Sequence, residues 1–345
     1  MGEFQINNTL SLNHDVIFEG TLSMPDSAML LLTKSYDYPT YAAAFGDEEL
    51  AFKKAFQALL NSVDHESLDL GGRSIAVSGP IDMQAAVPNR TSYATRRYIR
   101  NGQFTAQAGA SWDHDVVTAQ ATYDSSDKKK LTNVANISAI PVGALVEGAG
   151  VGREVYVTAK NVGATDLTLS QPLYDAEGTQ NFTFTRFRYL LDFSGFTKIS
   201  QFQLANVELL CNGLASGIML APNGVVFHLR DSFITRPRDR GVTSIGEGCQ
   251  GMLIDRCQFL SNESSLLAQD RTSIGFNVNA NDSKVRNNRC VHYAAFGILN
   301  GTGHMFVGNH WFHGDGARNG IRQAGLVFTT PNVKSTLTGN YIDNN

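Results

Sequence analysis

Apolar positions along the chain follow two different periods. In DEELAFKKAFQALLNSV (47–63), Phe52, Ala55, Phe56, Leu59, Leu60 and Val63 fall at the i, i+3, i+4, i+7 spacing that predicts one amphipathic helix. Asp47 is placed to cap it, and Glu48 and Glu49 sit where a helix dipole favours anions. From about residue 188 the period changes. A six-residue unit, apolar at both ends, recurs as LANVEL (204–209), LRDSFI (229–234), IDRCQF (254–259), VRNNRC (285–290), VGNHWF (307–312) and LTGNYI (337–342). Its first positions are 25, 25, 31, 22 and 30 residues apart. Their mean of about 27 lies in the window of solenoid repeats.

A straight strand alternates faces, so positions 1 and 6 of such a unit would point opposite ways. Both turn inward only if the strand bends between them. Position 3 reads Asn206, Asp231, Arg256, Asn287, Asn309 and Gly339, mostly residues that tolerate the left-handed conformation of a corner. Coils stacked about 4.8 Å apart would align these asparagines in a ladder. The pattern predicts an all-β chain, a right-handed parallel β-helix. A β-sandwich with repeated turns is the alternative, but it has no reason to hold one unit in register.

Before the repeats, SLDLGGRSIAVSGPID (67–82) and RRYIRNGQFTA (96–106) read as earlier coils, with the 47–63 helix covering their open end. Residues 131–187 carry short Val/Leu/Thr runs between Gly and Asn and read as a small inserted antiparallel β module. The expected division is an attachment arm at 1–45, then capping helix and first coils at 46–130. The inserted module follows at 131–187, and the β-helix at 188–345, breaking off inside a repeat as if the natural coil continues.

Composition changes this picture little. A net charge of −4 gives no global pull toward nucleic acid, and 42% hydrophobic with 17% charged residues argues against disorder. The N-terminus has neither the basic nor the long apolar region of a signal peptide, and no stretch is long enough to enter a membrane. Cys211, Cys249, Cys257 and Cys290 form no CxxC pair and read as small buried hydrophobes. No metal or other cofactor is expected. His304, His310 and His313, with His292 nearby, should point different ways, His310 inward, and read as packing and turn chemistry.

The helix, LDLGGRSIAVSGPI and the irregular coils together resemble the pectate-lyase-like β-helices of phage tail spikes. The inserted VGALVEGAGVGREVYVTAKNVGATDLTLSQPL resembles a Gly-rich module of phage tail and bacterial surface proteins. As a whole, 47–345 is similar to tail fibre or spike proteins of phages and gene transfer agents from alphaproteobacteria. The resemblance implies homotrimers and an N-terminus held by other tail or baseplate proteins. It also implies binding to host surface polysaccharide, sometimes with its cleavage, and a place in the virion tail.

With positions 1, 4 and 6 inward, 2 and 5 face out. Position 2 stacks Arg230, Asp255 and Arg286, either an ion ladder worth about 0–1 kcal/mol per pair or a grip on an acidic sugar. Position 5 carries Phe233, Trp311 and Tyr341, which suit sugar stacking or, in a trimer, a subunit contact. Variable loops are expected at 210–225, 235–250, 260–280 and 313–332. Asp239, Glu247 and Asp255, and beyond them Glu263 and Asp270, are candidates by residue type for the two carboxyls of a hydrolase, about 5–9.5 Å apart, or for the base of a lyase.

Overall fold

The computed structural model describes residues 2–61, 64–314, 316–318, 323–331 and 333–343. Two columns of short parallel strands form, among these residues, one 14-stranded sheet. The first column holds Ser67–Asp69, His228–Arg230, Leu253–Asp255, Lys284–Arg286, Met305–Val307 and Thr336–Thr338. The second holds Ser74–Val77, Phe233–Thr235, Gln258–Leu260, Arg289–Val291, His310–Phe312 and Tyr341–Asp343. Two long strands, Arg97–Ala106 and Phe202–Leu210, run through both columns. A third face stacks Ile81–Asp82, Tyr189–Asp192, Ser216–Met219, Arg240–Thr243, Ile274–Val278, Ala295–Leu299 and Leu326–Phe328. Each coil visits the faces in this order and every neighbour is parallel, which makes the body a parallel β-solenoid.

The register confirms five of the six repeat units and shifts the fifth. Leu204, Leu229, Ile254, Val285, Phe306 and Leu337 stack at the first position. Leu209, Ile234, Phe259, Cys290, Trp311 and Ile342 stack at the last. The fifth unit is therefore FVGNHW (306–311), one residue earlier than the apolar ends of VGNHWF suggest. The bend decides it: Asn206, Asp231, Arg256, Asn287, Gly308 and Gly339 all take φ between 51° and 65°. The asparagine ladder forms one position later than expected and points inward. Asn288 Nδ2 donates to Asn309 Oδ1 and Asn309 Nδ2 to Asn340 Oδ1, both at 2.9 Å. The same amides reach the carbonyls of Ile254, Val285 and Phe306, so no polar atom of this inner corner depends on water.

The expected loops contain the third face. Its strands were not legible as strands because both sides are buried, leaving no alternation. Gly217, Gly241 and Gly275 stack there so closely that a Cβ on each would meet the next coil's carbonyl at 2.3–2.5 Å. All four cysteines are buried free thiols, with Cys257 and Cys290 on inward positions.

Helix α1 (Tyr38–Phe45) precedes α2 (Glu48–Asn61), and α2 covers the first coil. Asp47 Oδ1 accepts the Leu50 amide, the expected cap. Phe52 meets Phe104 edge-on at 4.8 Å, and Phe56 meets Phe202 at 6.0 Å. Each such burial contributes about 1.5–3 kcal/mol. Glu48 and Glu49 also accept the amides of Ala76 and Ser78 on the edge strand, so the bare edge is closed by hydrogen bonds as well as by apolar cover. Val63 lies outside the described residues.

Two boundaries differ from the sequence reading. Within 1–45, Leu22, Leu30, Leu32, Tyr38, Tyr41 and Phe45 are buried in the same core as the coils. The buried Lys54 ammonium holds this segment against α2 by donating to the carbonyls of Pro25 and Ala28 at 2.7 Å. Only strands Glu3–Gln5 and Leu10–Leu12 and their surroundings retain an arm's exposure. The antiparallel module starts at Asp115 rather than 131, because Asp115–Tyr123 pairs along its whole length with Gly178–Arg186. That hairpin anchors a six-stranded sheet inserted between faces two and three of one coil.

Candidate functional site

On the outer face the Arg–Asp–Arg stack forms, with Arg230, Asp255 and Arg286 in register. It is not a simple ladder. Asp255 is buried and pairs with Arg286 at 3.0 Å and with Arg256, from the bend, at 2.7 Å, while Asn287 Nδ2 donates at 3.2 Å. Arg256 also forks onto Asp231 at 2.6 and 2.9 Å. Its hydrogen bonds hold the Asp231 carboxyl below the usual carboxylate range. Arg230 is exposed and belongs to no ion pair among the described residues.

The aromatic stripe is shorter than expected. Phe233 and Tyr341 face out, 45% and 59% exposed, but Trp311 is buried against Phe296 at 5.8 Å. The one-residue shift turns it inward and brings His310 out, edge-on to Tyr341 at 4.8 Å. Phe233 and Tyr341 stand four coil steps apart, about 19 Å at ~4.8 Å per step, so one sugar ring cannot touch both.

The acidic candidates go to separate places. Asp239 Oδ2 is 2.9 Å from His114 Nε2, at the root of the inserted module. Glu247 is exposed at a corner after the third face, and Asp255 is buried under its arginines. Glu263 accepts from the amides of Thr272 and Ser273 and from both their hydroxyls, which closes its own loop, and Asp270 is exposed in a short 3-10 turn. No two of these carboxyls share a hydrogen-bond partner, whereas glycoside hydrolysis needs two facing one bond. His304 Nδ1 lies 2.8 Å from Ser283 Oγ, and His313 Nδ1 3.2 Å from the Tyr293 carbonyl. Burial pushes both below the ordinary histidine range. Among the described residues no group of three or more His, Cys, Asp or Glu side chains is placed to hold a metal.

The sequence reading missed the junction between module and third face. Glu154 reaches from the module to Arg240, bidentate at 2.8 and 3.1 Å, with both side chains buried and the Tyr156 hydroxyl on the same carboxylate. Arg186 pairs with Asp192, and Tyr156 and Leu145 pack on Tyr189, Met219 and Ile245. Further along, Thr329 Oγ1 donates to Gln171 at 3.0 Å. Glu154 and Arg240 are 86 residues apart and Gln171 and Thr329 are 158 apart, so spacing gives no hint of these two contacts.

These contacts define a parallel β-solenoid with an antiparallel module docked along one face. No family model matches the chain, and no curated protein matches it. Among solved structures it is similar to the crystal structure of the tailspike protein gp49 from Pseudomonas phage LKA1. The identity is 13% and the TM-score 0.25, covering 79% of this chain and 54% of that one. The chain thus spans about half the length of that tailspike. A likeness of that size leaves the coil register and the module's docking to rest on the chain's own contacts. Among the described residues no helix is long and apolar enough to cross a membrane.

Proposed function

We propose that the chain is a tail fibre or tail spike subunit of a phage or gene-transfer-agent particle, attaching it to host cell-surface polysaccharide. The observation that carries this reading is the charge of the outer face. Arg230, Arg256, Lys284, Arg286 and Arg289 stand on three successive coils against only Asp231 and the buried Asp255. A chain of net charge −4 therefore concentrates cations on one rigid surface, and arginine forks suit the carboxylates of acidic glycans. In this reading the coils wind right-handed, as parallel crossovers do, in the manner of pectate-lyase-like β-helices. Three subunits associate, with exposed Phe233 and Tyr341 available to the subunit contact. The N-terminal strands around exposed Phe4 and Ile17 meet other tail or baseplate proteins. Cleavage of the glycan by a lyase or hydrolase has less support, since Asp239 and Asp255 are engaged by His114 and by arginines.

The test is adsorption. The full chain, sized by sedimentation, is mixed with intact host cells and with cells stripped of surface polysaccharide. Trimers that bind only the former support the reading. A monomer that binds neither contradicts it. Release of reducing ends or unsaturated uronate would move the assignment to the enzyme.

A further inference from the structure

Between its contacts with the third face, the module leaves two hollows of about 770 and 640 Å³. Both volumes are in the range of ligand pockets, about 300–1,000 Å³. Gly152 and Arg153 line both, so the hollows adjoin as one trench. Its two ends differ. One holds Arg240, Arg271, Glu147 and Glu154; the other is walled by Leu173, Tyr174, Val327 and Phe328. We infer that this trench binds an acidic oligosaccharide, with Arg153 taking a carboxylate and Tyr174 stacking on a sugar ring. The inference rests on the glycan-attachment reading above.

Charge accounting selects an anion. Glu154 is consumed by Arg240. Arg271 is buried, and its guanidinium donates to the carbonyls of Glu263, Leu266 and His313; no ion pair among the described residues neutralises it. Arg153 is exposed; its carbonyl accepts from Gln171, while its guanidinium has no hydrogen bond or ion pair among the described residues. Within the lining Glu147 alone is left to offset these two cations; Glu263, beside Arg271, is held by the amides and hydroxyls of Thr272 and Ser273, so the lining itself keeps a positive surplus. The lining also holds a buried amide nitrogen, Nε2 of Gln269, with no acceptor among the described residues. A sugar oxygen would satisfy it once the side chain turns toward the trench.

Shape selects a sugar. Tyr174 is 85% exposed, held at the rim through its own amide, which donates to the Val151 carbonyl at 3.2 Å. Its Cβ stands 3.1 Å from where a Cβ on Gly152 would be, and Gly152 has φ +93°, so the trench floor requires glycine there. A solvated ring beside an unpaired arginine and amide groups fits a pyranose with its apolar face down and its carboxylate on the guanidinium.

Calorimetric titration of the full chain with oligomers of polygalacturonate and of alginate tests this, with neutral dextran oligomers as control. Arg153→Ala and Tyr174→Ala are both exposed and should leave the fold intact. Each is expected to weaken uronate binding at least about tenfold, the loss of one charge-assisted or stacking contact, while Lys198→Ala, exposed and outside both the trench and the outer-face cations, leaves it unchanged. Equal binding of dextran overturns the acidic assignment. If Arg286→Ala weakens binding and the trench variants do not, the trench site falls and outer-face attachment stands. No uronate binding by the chain also overturns the trench, and adsorption to intact cells then decides separately whether the attachment reading survives.

Discussion

Arg240 and Arg230 belong to the same coil, on different faces, and water reaches only one of them. Arg240 is buried under the module, with the N–H edge of its guanidinium on Glu154 and a cation–π contact over Phe187 at 4.9 Å. Arg230 stands in solvent with no carboxylate among the described ion pairs. The burial cost of Arg240 was met when the module docked, so its charge specifies architecture. Arg230 is left with its full capacity to bind something else. The residue type is the same; what separates a structural arginine from a functional candidate is whether its partner is already present in the fold.

Removing partners at the junction and on the outer face should therefore give unequal effects. Glu154→Ala leaves Arg240 buried and unpaired and should destabilise by about 3–5 kcal/mol, whereas Arg230→Ala should stay within about 0.5 kcal/mol. Urea unfolding measures both, and equal losses would erase the distinction. Replacing Glu154 and Arg240 together by Gln and Met should recover much of the loss, because the unpaired charge goes with its partner.

The same inside–outside contrast applies to the aromatics. Trp311→Ala should cost about 3–5 kcal/mol and Tyr341→Ala well under about 1 kcal/mol; a reversed order in thermal unfolding would restore the later register of the fifth unit. Next in size is Asn309→Ala, which strips the Val285 carbonyl and the Asn288 amide of a buried partner. It is expected to cost about 1–3 kcal/mol, and loss of hydrogen-exchange protection confined to coils around 285–312 would report it. The smallest effect belongs to the exposed Asp231–Arg256 pair, at about 0–1 kcal/mol for such pairs. Because Arg256 lowers the folded-state pKa of Asp231, its contribution is complete above the ordinary carboxylate range and is lost as pH falls through the folded value. Asp231→Asn should flatten that acid-side slope slightly, and added salt should do the same.

Much of the solenoid was legible because its coils repeat a local rule. Apolar ends around a bend fixed five units, and the fifth slipped because Phe306, Val307, Trp311 and Phe312 offer two apolar frames. The left-handed residue separates them: with Gly308 at the bend, Asn288, Asn309 and Asn340 fall into one column. IRNGQF (99–104) obeys the rule too, with Asn101 at φ 61°. Although its strands lack alternation, the third face carried another signal in SGI, RGV and IGF, a glycine once per coil where neighbouring backbones touch; in FGI the glycine slips by one position, and Gly297 lies against the Phe276 ring. The arm was misjudged because its apolar residues pack on the outer side of α2, which the helical period assigned to solvent. The fates of Asp239, Glu154 and Arg153 were not legible, since they depend on how a distant module lies against the coils.

Arginine footprinting of the folded chain tests the central distinction most directly. After brief treatment with phenylglyoxal, digestion and mass spectrometry give the modification rate at each arginine. Arg153, Arg230 and Arg286 should react fast, and Arg186, Arg240 and Arg271 only after unfolding. Modification of Arg240 at the rate of Arg230 would contradict the account, because the module would then not be docked where its charges are held.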